Sequence, residues 1–289
     1  MDAAALPPPL LEVRQLCHHY PAPRPGLLAR PHPHPVLRNV SLTLPAGRCL
    51  GLVGASGSGK STLARLVLAL DTPSSGQVLL DGQDLHRLPP AALRQMRQNM
   101  AMVFQDPATA LNPRRSVGWS VAEPLTALGG PPLAPAEVTR RVAQALEDVG
   151  LHAQDAQRYP GSFSGGQRQR IALAHAIIAR PRLLVLDEPV SALDVCVQAQ
   201  VLNLLLELQQ RLGLGYLLIS HDLSVISHLC DQVLVLHQGE VVESGTPQQL
   251  LHAARSPVTQ ALLHSVPTMT PGAARLRYAM NKKAIPADE

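Results

Sequence analysis

Apolar and polar positions alternate over residues 36–44, where Leu37, Val40, Leu42 and Leu44 hold a partly two-residue period until Pro45-Ala46-Gly47 closes it. That is the pattern of a half-buried strand ending in a turn. Residues 10–20 read as a partner strand, so an antiparallel β layer is expected to open the fold. Between the two, PAPRPGLLARPHPHP at 21–35 sustains neither a helix nor an interior strand, and a surface loop is expected. Residues 48–54 form a short apolar strand running into a glycine-rich turn, and KSTLARLVLAL follows with helical propensity and no breaker. Val138, Val142, Leu146 and Val149 share one face of a helix at 135–149, inside a proline-interrupted stretch at about 90–180 that reads as a helical subdomain. Further on, residues 183–188 and 216–220 are short apolar runs on either side of an amphipathic helix at 195–211. This is the rhythm of a buried parallel sheet with crossover helices. Residues 232–245 read as a hairpin turning at His237-Gln238-Gly239.

Composition narrows the picture. The 289 residues suffice for one large core or two modest ones, and with aromatics at 2% that core has to be built from Leu, Val, Ile and Ala. The formal net charge is +4, but Lys and Arg are spread without a long run, so no nucleic-acid partner is expected. Cys17, Cys49, Cys196 and Cys230 show no C-x-x-C or metal-type spacing and read as isolated, small buried hydrophobes in a reducing compartment. The best apolar stretches, 63–70 and 171–179, are interrupted by Arg65 and His175 and fall short of the roughly 18 residues a spanning helix needs. The N-terminus lacks the basic-then-apolar order of a secretory signal, so a cytoplasmic location is expected. Residues 1–9 are expected to be flexible, 10–267 to form one domain, and 268–289 to be a polar, poorly ordered tail.

Three local patterns carry chemistry. Gly54-Ala55-Ser56-Gly57-Ser58-Gly59-Lys60-Ser61-Thr62 matches G-x-x-x-x-G-K-[ST] between an expected strand and an expected helix. Glycines there let backbone N–H groups curl around a polyphosphate, and the helix N-terminus adds partial positive charge. Lys60 is then the candidate for the β and γ phosphates, and Ser61 for Mg²⁺. The run 183–188 ends a buried strand on Asp187 and Glu188; beside a phosphate loop, Asp187 suits a Mg²⁺ ligand and Glu188 a general base for the attacking water. Alone, such a pair also serves as a helix N-cap. The third pattern is Phe163-Ser164-Gly165-Gly166-Gln167-Arg168-Gln169-Arg170 ahead of a helix rich in Ile, Leu and Ala.

From Ser164, the run Ser-Gly-Gly-Gln-Arg-Gln-Arg-Ile-Ala-Leu-Ala resembles the signature motif of ATP-binding cassette (ABC) ATPases, with Phe163 where the commonest form has Leu. The other family positions follow in order. Gln105 resembles the Q-loop glutamine that senses the γ phosphate and Mg²⁺ and links the site to a membrane partner. Ser191-Ala192-Leu193-Asp194 resembles the D-loop, His221 the switch histidine at the γ phosphate, and Tyr20 the aromatic that stacks on adenine. The resemblance implies an α/β P-loop NTPase with a RecA-like parallel sheet, an antiparallel β subdomain and an α-helical signature subdomain. ATP and Mg²⁺ are the implied cofactors. The implied catalytic residues are Glu188, His221, Gln105 and Lys60. Residues 54–62 and Tyr20 hold the nucleotide, and Ser61, Gln105 and Asp187 serve the metal. Ser164, Gly165, Gly166, Gln167 and Asp194 meet nucleotide at a joint with a second cassette.

Ala110-Leu111-Asn112-Pro113-Arg114-Arg115, Arg158-Tyr159-Pro160 and Ser256-Pro257-Val258-Thr259-Gln260-Ala261-Leu262-Leu263 resemble the oligopeptide, dipeptide and nickel importer branch. Members of that branch pair two ATPase chains beneath two membrane-spanning permease subunits at the cytoplasmic face of the inner membrane. An extracytoplasmic solute-binding protein delivers the solute. Peptide members commonly continue into a cysteine-containing extension, whereas the last cysteine here is Cys230, so nickel stays open beside peptides. An exporter ATPase and a non-transport ATPase acting on DNA or ribosomes are the alternatives. The second sits poorly with one cassette and no heptads between Lys60 and Ser164. His18, His19, His32 and His34 belong to or border the proline-rich insertion and are given no role.

Overall fold

In the computed structural model, the described residues are 9–20, 34–107, 111–127 and 132–265. The chain opens with β1 (Leu11–Tyr20) and β2 (His34–Leu44), which pair antiparallel. It continues through β3 (Cys49–Val53), α1 (Lys60–Val67), β4 (Ser75–Leu80), β5 (Gln83–Asp84), α2 (Pro90–Met96) and β6 (Met100–Val103). Next come α3 (Val117–Ala127), α4 (Pro135–Asp148) and α5 (Gly165–Ile177). The last third holds β7 (Leu183–Asp187), α6 (Val195–Leu212), β8 (Gly215–Ile219), α7 (Leu223–Leu229), β9 (Gln232–His237), β10 (Glu240–Gly245), α8 (Pro247–Ala253) and α9 (Pro257–Ser265).

Two sheets result. The antiparallel one runs in the order β2-β1-β4-β5, and the larger one β10-β9-β3-β8-β7-β6, parallel throughout except where β10 turns back on β9. Strand alternation gives the larger sheet two apolar faces. Leu184, Leu186, Tyr216 and Leu218 join one core with the faces of α3 to α7, while Leu183, Val185, Leu217 and Ile219 join a second core with α1 and the antiparallel sheet. Tyr216, buried in β8, needs a polar partner, and its hydroxyl donates to the Leu205 carbonyl of α6 at 2.9 Å. No helix among the described residues is long and apolar enough to cross a membrane.

The strands, crossover helices and hairpin expected from the sequence form. The hairpin turns on Gln238 and Gly239, both at positive φ as a two-residue turn demands. Three expectations need correction. β2 begins at His34, so Pro35 lies in a strand rather than in the loop; it is tolerated because β2 is an edge. The stretch at 90–180 is not helical throughout, since β6 lies inside it and joins the parallel sheet beside β7. The cysteines are not all isolated and buried: Cys49 and Cys230 meet at 3.5 Å between sulfurs, Cys17 is half-buried and Cys196 is exposed. His18 is buried and His34 lies in β2, while His32 and the rest of 21–33 fall outside the described residues.

Candidate active site

β3, β8, β7 and β6 lie side by side and parallel, so their C-terminal ends share one edge of the sheet, where such folds bind ligands. From β3 the chain enters the phosphate loop. Gly54 packs against the backbone so closely that a Cβ there would run into the Leu236 carbonyl oxygen. Gly59 sits at φ 109, and a Cβ on it would meet Leu37 at 2.7 Å and the Val36 carbonyl at 3.0 Å. No other residue type fits either position. α1 starts at once after Gly59, so its first N–H groups, which have no partner within the helix, face the loop. Lys60 Nζ donates to the carbonyls of Gly54 at 2.7 Å and Ala55 at 2.9 Å, and reaches Ser58 Oγ at 3.5 Å. This closed loop holds the ammonium where a phosphate oxygen is to be met.

The neighbouring strand ends bring acid and imidazole to the same place. β7 ends on Asp187, and Glu188 follows in the left-handed region at φ 49, its N–H donating to the Ile219 carbonyl at 2.9 Å. β8 ends on Ile219 in register with Asp187, and two residues on His221 Nδ1 donates to Glu188 Oε1 at 2.8 Å. Partial burial lowers the Lys60 pKa from its ordinary value, while the charges of Glu188 and Asp187 work to hold it up. Burial raises Asp187, with the Glu188 charge adding and the Lys60 charge opposing. A cation between two carboxylates is thus set in a half-dry cleft.

Lys60, Ser61, Thr62, Gln105, Asp187, Glu188 and His221 line one cavity of about 1450 Å³ with Gly54, Ala55, Ser56, Gly57 and Gly59 of the loop. Ser58 is buried beneath it. The structure does not bring every expected residue there. Tyr20 ends β1 at 39% exposure and does not line the cavity; its hydroxyl donates to Asp71 Oδ2 at 3.3 Å. Ser164 caps α5 in a reciprocal box, its Oγ accepting from the Gln167 N–H and its own N–H donating to Gln167 Oε1. Asp194 caps α6 more simply, its Oδ1 accepting from the Val197 N–H at 3.0 Å. Neither cap, nor Gly165, Gly166 or Gln167, lines the cavity of its own chain, although Val195 beside Asp194 does. Sequence reasoning missed the far wall, where Leu202, Leu223, Leu250 and Leu262 extend the cavity in apolar form. Apolar residues of amphipathic helices read simply as core, so no sequence signal marks them.

A parallel sheet whose strand ends gather a phosphate loop, two carboxylates and a histidine defines the chain as a P-loop ATPase. An ABC transporter family model matches residues 37–191. The dipeptide transport ATP-binding protein DppF of Escherichia coli is 44% identical over 278 residues, covering 96% of this chain and 82% of that protein. The di/tripeptide transport ATP-binding protein DppF of Pseudomonas aeruginosa is 44% identical over 262 residues, 91% and 80% of the two chains. Among solved structures, a dimeric post-hydrolysis state of the ATP-binding cassette MJ0796 bound to ADP and Pi superposes with TM-score 0.70 at 26% identity. It covers 85% of this chain and 99% of that one. CbiO1 from Clostridium perfringens, part of an ABC transporter complex, reaches TM-score 0.73 at 26% identity, covering 95% and 99%. The chain belongs to the ABC transporter family, as its ATP-hydrolysing cassette.

Proposed function

We propose that this chain is the ATPase subunit of an importer of small peptides, driving uptake across the cytoplasmic membrane from its inner face. The observation that supports it best is the match, over nine-tenths of the chain, to proteins named for dipeptide and di/tripeptide transport. Two permease subunits, a second ATPase chain, identical or related, and an extracytoplasmic solute-binding protein complete the machine in this reading.

In the cycle, Lys60 leaves the Gly54 and Ala55 carbonyls for the β and γ phosphates of ATP, where the loop N–H groups add donors. Tyr20 takes the adenine. Ser61, Asp187 and Gln105 present a hydroxyl, a carboxylate and an amide oxygen to the one cavity, a hard-oxygen set that suits a cation keeping several waters. Mg²⁺ bound there supplies charge neutralisation at the β and γ phosphates. Glu188 takes the proton of the attacking water, and its contact with His221 fixes the carboxylate and places the imidazole near the γ phosphate. Ser164 of a second cassette closes the site from the other side; within its own chain it caps α5 and keeps its hydroxyl proton free to donate. Reopening after hydrolysis resets the membrane gate.

The test is uptake of a labelled dipeptide and of radiolabelled nickel in vesicles carrying the reconstituted complex, with the Lys60→Ala chain as blank. ATP-dependent dipeptide accumulation is expected. Nickel accumulation alone replaces peptides with a metal solute, and accumulation of neither returns the exporter reading.

A further inference from the structure

Tyr20 is an exposed ring held at its edge and at its tip. Its hydroxyl donates to Asp71 Oδ2 at 3.3 Å. Asp71 in turn receives two hydrogen bonds from Arg65, Nε to Oδ2 at 2.6 Å and Nη2 to Oδ1 at 2.9 Å. This pairing holds the Asp71 carboxyl below its ordinary range and keeps it an acceptor. Arg65 belongs to α1, which begins with Lys60. On the other side His18 meets the Tyr20 ring edge to face, centroids 4.7 Å apart at 87°. His18 is 8% exposed, and neither of its ring nitrogens has a hydrogen-bond partner among the described residues, so it serves as a wall. Across the strand pair Tyr20 faces His34, two residues from Val36, which lines the cavity. An exposed aromatic whose strand partner lies two residues from the cavity wall is therefore tied, through one carboxylate and one guanidinium, to the helix that carries Lys60.

Exposed ion pairs contribute little to stability, so the chain Tyr20–Asp71–Arg65 is a poor structural staple. It is a good positioning device, because fixing a stacking ring before the ligand arrives removes an ordering cost from binding. We infer that Asp71 is a positioning residue for the nucleotide base. Braced by Arg65, it sets the tilt of the Tyr20 ring and its separation from Lys60, so that base and triphosphate of a purine nucleoside triphosphate are met together. The inference rests on the reading of Tyr20 as the adenine-stacking residue.

Binding of ATP and of inorganic tripolyphosphate, which has no base, is to be measured by calorimetry on the full chain with Tyr20→Phe, Asp71→Ala, both together, and Tyr20→Ala. Tyr20→Phe deletes one exposed hydroxyl and folds even if Asp71→Ala does not. Each single change to the brace should weaken ATP about 3- to 10-fold, the range for one lost hydrogen bond. The double variant should be no weaker than either single, because both remove the same contact. Tripolyphosphate binding should not move, and in the reconstituted complex KM for ATP should rise while kcat holds. Equal losses for ATP and tripolyphosphate overturn the inference, since Asp71 then acts through the phosphate loop. Unchanged ATP affinity in Tyr20→Phe and Asp71→Ala, with a loss in Tyr20→Ala, overturns it too and leaves Tyr20 as the stacking residue. Unchanged affinity in Tyr20→Ala removes Tyr20 from the base and takes the brace with it.

Discussion

The sheet edge and the start of α5 both carry residues that the family assigns to bound ATP, but they are built in opposite ways. At the sheet edge, strand ends converge, and Lys60, Asp187, Glu188 and His221 face one another across a half-dry cavity. At α5, Ser164 stands exposed at a helix start with its neighbours pointing into no cavity of the same chain. The first region makes its electrostatics internally, from half-buried charges whose pKa values are moved first by burial and then by one another. The second has its cap bonds satisfied within the helix, and in the proposed function it meets a nucleotide held by another cassette. In the proposed function these are two half-sites on separate surfaces, completed when two cassettes face each other.

Four changes sharpen or break that contrast. Glu188→Gln should lower kcat by about 10²- to 10⁴-fold while ATP affinity stays near wild type. Phosphate release and calorimetry check it, and wild-type-like turnover removes Glu188 as the base. Next in size, Ser164→Asp keeps a cap-competent oxygen for α5 but aims a negative charge outward. Its ATP binding as a single chain should be intact and its turnover in the assembled complex reduced about 10- to 100-fold, the range for a lost charge-assisted hydrogen bond. Impaired binding by the isolated chain would show that the two half-sites are not separate. Gly166→Ala pushes a methyl group into Val197 of α6 and should cost about 1–3 kcal/mol in urea denaturation, with ATP binding retained. It measures how firmly the signature helix is seated.

The smallest effect is electrostatic. Hydrogen bonds from Arg140 and then Arg141 lower Glu137 on α4 from 4.5 to about 2. A depressed carboxylate stabilises the fold above its unfolded pKa, and that contribution drains away as pH falls from about 4.5 through about 2. Glu137→Gln should therefore melt slightly lower than wild type at pH 6 and converge with it as pH falls to about 2. All three side chains face solvent, so the gap should be small and fade in high salt. A gap that widens on acidification reverses the sign and refutes the assignment.

Contiguous features were legible in the sequence. The phosphate loop declares itself in nine adjacent residues, and the strands ending at Asp187 and Ile219 declare themselves as apolar runs. β4 and β5 went unread although Asp81-Gly82, both at positive φ, is a hairpin signal. β6 went unread because four apolar residues among helices are ambiguous in period. The Glu188–His221, Cys49–Cys230 and Tyr20–Asp71 contacts join positions 33, 181 and 51 residues apart. Such pairs arise only when strand order is fixed, and local pattern does not encode strand order.

Glu188 occupies a left-handed backbone position, which costs an ordinary side chain about 1–2 kcal/mol and costs glycine almost nothing. Selection for heat resistance alone would therefore favour glycine at this place and discard the carboxylate in the process. A library of this cassette sorted by melting temperature should fill with sturdier, idle proteins at position 188, so a screen has to score turnover alongside endurance.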